Sequence, residues 1–85
     1  MDEFDLVDGW LTTLRDHLDL EGLETPDWAE LLNTVRATAH GVVHAAGPVT
    51  ALAVGYAAAR AGGSAESLAR ALASVRALLP DGGGR

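Results

Sequence analysis

Apolar positions along the chain recur at helical spacing in four blocks. In the first, over about residues 5–18, Val7, Leu11, Leu14 and Leu18 share one face with Trp10 beside them, while Asp8, Arg15 and Asp16 point outward. Gly22 interrupts the pattern in the connector Leu20–Glu24, and Thr25-Pro26-Asp27 then reads as a helix start. Thr25 suits the cap, Pro26 the first helical position and Asp27 the positive end of the helix. The second block, about 26–45, carries Trp28, Leu31, Leu32, Val35, Ala39 and Val42 on one face and ends before the break at Gly47-Pro48. The third, about 48–61, is apolar nearly all round, which predicts a helix inside the bundle. Gly62-Gly63 ends it and Ser64 caps the fourth, about 64–79, where Leu68, Leu72, Val75 and Leu79 form the predicted seam with Arg70 and Arg76 outside. Residues 81–85 read as a frayed tail. No strand-like alternation and no internal repeat competes, so the pattern predicts an all-α fold: a small four-helix bundle forming a single domain over residues 1–80.

Small residues add a packing expectation. Gly47, Ala51, Gly55 and Ala59 fall every fourth position along the third helix, giving it a flat face that a neighbouring helix can approach closely. Packing within the chain is the first reading of that face, and close packing across a homodimer interface is the second.

Composition fits a folded domain. The chain has 85 residues, 48% of them hydrophobic and 21% charged, enough apolar surface to build a core and too much for disorder. Its lack of cysteine removes disulfides, thiolate zinc sites and thiol nucleophiles together. The net charge of −6 is unevenly laid out: residues 1–30 hold ten acids against Arg15, a local −9, whereas residues 31–85 hold two acids against five arginines, a local +3. An acidic surface repels phosphate backbones, so no nucleic-acid partner is expected. The start is acidic where an export signal is basic. The longest weakly polar stretch, residues 42–59, includes His44, Pro48 and Thr50 and falls short of the about 20 strongly apolar residues needed to span a bilayer. A cytoplasmic protein without a membrane partner is the expectation.

Candidate chemistry centres on the end of the second helix. His40 and His44 stand at i and i+4, a spacing that can chelate a metal on a helix, but Gly41 occupies the place where the metalloprotease pattern has glutamate and no carboxylate lies between Glu30 and Glu66. No metal site is therefore expected. Asn33, Arg36, His40 and His44 form a polar stripe that reads either as a solvated face or as a site for a small anion or a partner. Thr50 and the free N–H groups that follow Gly47 would complete such a site at the start of the third helix. No catalytic residue stands out: Ser64, Ser67 and Ser74 lack a nucleophile motif, the pairs Asp16/Asp19 and Glu21/Glu24 lie in the acidic, exposed third, and Gly62-Gly63-Ser64 lacks the lysine of a phosphate loop. No cofactor is expected.

Ala39-His40-Gly41-Val42, Pro48-Val49-Thr50 and Gly55-Tyr56-Ala57-Ala58, with Trp10 and Leu31-Leu32 ahead of them, resemble a small actinobacterial family of unknown function. The likeness covers about residues 8–79. Such domains are similar to segments found alone or attached to molybdenum cofactor guanylyltransferases. The resemblance implies a link to molybdopterin guanine dinucleotide assembly and a guanylyltransferase or related protein as partner, without implying catalysis by this domain. Where the family tends to have Arg-Pro-Ala-Ala-Pro, this chain has His44-Ala45-Ala46-Gly47-Pro48. An arginine at the place of His44 suits an anion or carboxylate contact rather than a metal.

Three readings follow. The leading one is a non-catalytic accessory or protein-binding module of the molybdenum cofactor pathway, with the acidic first helix supplying steering charge and the His40/His44 face a specific contact. The second is a small-anion or nucleotide-binding module using Arg36, His40, His44 and Thr50. The third is a metal-dependent enzyme built on His40 and His44.

Overall fold

A computed structural model of the chain describes residues 2–79; the frayed tail read at 81–85 lies outside them. The fold is an all-α four-helix bundle: α1 (Glu3–Leu18), α2 (Trp28–Gly41), α3 (Ala46–Arg60) and α4 (Ala65–Leu78), with no strand among the described residues. Three of the four helices begin on side-chain caps. The Asp2 carboxylate accepts from the Asp5 N–H at 2.9 Å, Asp27 from Glu30 at 3.1 Å and the Ser64 hydroxyl from Ser67 at 3.0 Å, each worth about 1 kcal/mol. The cap of α2 is therefore Asp27 rather than Thr25, and Pro26 precedes the helix instead of opening it. The Thr25 hydroxyl is engaged elsewhere, accepting from Arg15 Nη2 at 3.1 Å.

The tightly packed part is α2, α3 and α4, each of which packs against the other two. Val54 and Ala58 of α3 and Leu68 and Leu72 of α4 form the buried core, with Leu23, Leu31, Ala71 and Val75 packed around it. Leu68 and Leu72 lie where the predicted seam of α4 puts them. On α2 the buried positions are Thr34 and Thr38, while Leu31, Leu32, Val35 and Ala39 are half-buried and Val42 is exposed. The expected face is thus rotated toward two short polar side chains. Both are satisfied: Thr38 Oγ1 donates to the Val35 carbonyl at 2.7 Å, and Thr34 Oγ1 accepts from Arg76 Nη1 at 3.3 Å. Arg76 also pairs with Glu30 at 2.9 Å, so it clasps α4 to α2 instead of pointing outward.

The third helix departs furthest from expectation. It starts at Ala46 rather than Pro48, and Gly47 in its first turn is buried against α2, where an added Cβ would stand 3.4 Å from Val35 Cγ1 and 3.5 Å from Ala39 Cβ. Only one side of α3, carrying Gly47, Val54 and Ala58, is buried. Val49, Leu52 and Tyr56 are exposed, so the helix is not enclosed by the others. The small-residue stripe is split accordingly, Gly47 packing on α2 while Ala51, Gly55 and Ala59 line an open groove.

Two connectors cross beside the core. Gly63, at φ +75°, is buried against Gly22, whose own φ is +85°. A Cβ on Gly63 would stand 2.6 Å from the Gly22 carbonyl oxygen. The Glu24 N–H donates to the Gly63 carbonyl at 2.9 Å, and the Glu24 carboxylate accepts from the Ala65 N–H at 2.6 Å, at the positive end of α4.

Candidate functional site

The residues singled out from sequence do not form one helical stripe. α2 ends at Gly41, and His44 lies in the turn that follows, so His40 and His44 are not one turn apart on a continuous helix. The expected helix out to residue 45 is cut short where the β-branched pair Val42-Val43 follows Gly41. Arg36, His40 and His44 are exposed and Thr50 is half-buried, and no hydrogen bond or ion pair joins the four among the described residues. Ahead of the N–H groups expected to receive an anion, the chain turns into α3 through two backbone hydrogen bonds. Ala46 donates to Val43 at 2.8 Å, Gly47 donates to His44 at 3.2 Å, and Pro48 has no N–H. Among the described residues no three His, Cys, Asp or Glu side chains stand close enough to hold a metal ion.

A different surface is set up by α1. This helix has the amphipathic spacing of a core helix, yet it contributes no buried residue and no member of the core. Val7, Leu11 and Leu14 are half-buried, whereas Leu6 (61% exposed), Trp10 (61%) and Leu18 (56%) face solvent. Polar contacts add to the half-buried side chains in tying α1 down. Trp28 Nε1 donates to the Asp8 carboxylate at 2.6 Å, and Arg15 reaches the Leu23 carbonyl at 2.9 Å and the Thr25 hydroxyl at 3.1 Å. The result is an acidic helix carrying two large apolar side chains, Leu6 and Trp10, at one-turn spacing on its exposed flank. Sequence periodicity identified the helix and its inward face at Val7, Leu11 and Leu14, while Leu18 on that face and Trp10 beside it are exposed.

The second unassigned feature is a groove of about 420 Å³ between α3 and the connector that follows α1. Ala51, Gly55 and Ala59 form its floor, Leu20 and Leu23 one wall, and Leu52 and Tyr56 the other. Its volume lies in the usual range for ligand pockets, and the titratable groups on its lining are Glu21 and Tyr56. At the C-terminal end of α3 the Arg60 guanidinium stands 5.9 Å from the Tyr56 ring centre. No helix among the described residues is long and apolar enough to cross a membrane.

Neither the curated proteins nor the solved structures contain a match to this chain. A family profile does match, over residues 2–84, which takes in all four helices and both connectors described above. On that match the chain belongs to the family described as Domain of unknown function (DUF6457).

Proposed function

We propose that this protein is a non-catalytic accessory module that acts in the cytoplasm by binding another protein through α1. The observation that carries this reading is the mismatch between the pattern of α1 and its packing. An amphipathic helix that buries nothing in its own core, yet holds Leu6 and Trp10 out at 61% exposure each, has the anatomy of a docking element. A large aromatic side chain such as Trp10 on a preordered helix loses little entropy on binding and is of the kind that dominates interface energy, with Leu6 beside it excluding water. The first 30 residues, α1 among them, carry a net charge of −9, which favours a partner with a basic face and speeds encounter with it. The sequence resemblance supports a molybdenum cofactor guanylyltransferase as that partner, and so a place for the module beside the assembly of molybdopterin guanine dinucleotide.

Affinity capture of the tagged protein from its own cell lysate at low salt tests this directly. Retention of a guanylyltransferase by the native chain, and its loss with Leu6→Ser/Trp10→Ser, is the expected result. Both substituted positions are exposed, so the variant keeps its fold. Recovery of the bait alone, from a lysate shown to contain the enzyme, rejects the association.

A further inference from the structure

From the outward side of α3 we infer that the protein forms a two-fold symmetric dimer, with a second copy of this chain seated across the α3 groove. Between Ala46 and Ala59 the helix carries no charged side chain, although Val49, Leu52 (74% exposed) and Tyr56 (60%) face solvent. A helix that served only to close the core would carry polar residues on that side. Charge depletion with a central aromatic residue is the composition of an interface core.

Shape points to the occupant. Leu52 and Tyr56 form a ridge, and Ala51, Gly55 and Ala59 beside them form the floor of the groove, so projection and recess lie on the same helix. A two-fold axis places the ridge of each copy in the groove of the other. This self-complementarity is what an isologous interface requires, and small residues on the floor let the two helices approach closely.

Charge selects the direction. Arg60 is the only charged residue of α3, and a parallel pair would oppose the two copies of it, whereas an antiparallel pair separates them. Antiparallel pairing has a second consequence. The acidic connector with Asp19 and Glu21 runs beside the C-terminal end of α3, where Gly22 meets Gly62 and Gly63. Arg36, His40 and His44 lie at the other end, where Gly47 meets Val35 and Ala39. Reversing one copy brings Asp19 and Glu21, which outnumber Arg60 at their end, toward Arg36 of the partner copy.

Sedimentation equilibrium of the full chain, at about 100 μM, reads the outcome, since interfaces of ordinary size hold at micromolar concentrations or tighter. The expected mass is twice the 8.8 kDa of one chain. Leu52→Glu removes the ridge and Gly55→Leu fills the recess. The first site is exposed and the second has nothing within 4 Å of an added Cβ, so both variants should keep the helical circular dichroism of the native chain and sediment as monomers. A native chain that stays monomeric overturns the proposal, as does a dimer that survives both substitutions. A spin label on Arg60→Cys, in a chain with no other cysteine, reports direction. Antiparallel helices hold the two labels about 20 Å apart, and contact broadening from adjacent labels overturns the arrangement. Leu6→Ser/Trp10→Ser leaves this dimer intact, which separates its failure from failure of the α1 docking reading.

Discussion

Gly63 bears the sharpest local demand in the chain. Its φ of +75° is costly for any residue with a Cβ, and that Cβ would sit 2.6 Å from a backbone oxygen of Gly22. The neighbour is main chain, not the end of a flexible side chain, so relief requires the two connectors to separate. Separation would also strain the Glu24 to Gly63 hydrogen bond and the cap that Glu24 gives α4. Gly63→Ala is therefore expected to lower unfolding free energy by about 2–4 kcal/mol, read by urea denaturation. A loss below about 1 kcal/mol, the low end of backbone strain without a clash, would show that the connectors part freely. Sequence marked Gly62-Gly63 as a helix end, because paired glycines punctuate helices. It did not reveal the crossing with Gly22, 41 positions earlier in the chain, since a close backbone approach leaves no periodic trace.

At the scale of helices, what was legible and what was not divide along the same physical line. The apolar seam of α4 fixes Leu68 and Leu72 inside because both are large and lie on one face. On α2 the same reasoning favours Leu31, Leu32 and Val35, yet the most buried positions are Thr34, 1% exposed, and Thr38. Short side chains permit close helix contact, and their hydroxyls are satisfied locally or by Arg76. Hydrophobicity alone does not encode that choice. The candidate stripe Arg36, His40 and His44 fails as a helical face for a related reason. It assumes a helix continuing past Gly41, whereas a turn follows at residues 42–45 and α3 begins at Ala46. For α1 the amphipathic pattern is the same whether the apolar face meets its own core or another molecule, so only the fold distinguishes them. Since α1 buries no residue and is tied by three side-chain hydrogen bonds, it should open without global unfolding. Native-state hydrogen exchange should show its amides exchanging at an opening free energy at least about 2 kcal/mol below that of the α3 and α4 core amides. Equal protection in all four helices would mean that α1 belongs to the same cooperative unit as the core.

Over the whole molecule, charge and apolar surface are arranged so that the two proposed contacts respond differently to salt. The α1 surface lies within residues 1–30 and their local charge of −9, so encounter with a basic partner draws on long-range attraction. That attraction is cut when the screening length falls from about 10 Å at 0.1 M salt to about 3 Å at 1 M. The α3 surface has no charge from Ala46 to Ala59; its stability comes from apolar area removed from water, which salt does not screen, and the charges at its ends set direction more than strength. Raising salt over that range should slow association of the partner protein by about tenfold or more, measured by stopped-flow or surface plasmon resonance. The dimer dissociation constant, measured by sedimentation in the same buffers, should change by less than about threefold, a difference under 1 kcal/mol. If the dimer weakened as steeply as the partner complex, its main attraction would be ionic, and the uncharged ridge and groove of α3 would not be what joins the two copies. If neither responded, the acidic third of the chain would have no part in recognition, and the contribution of α1 would reduce to Leu6 and Trp10 alone.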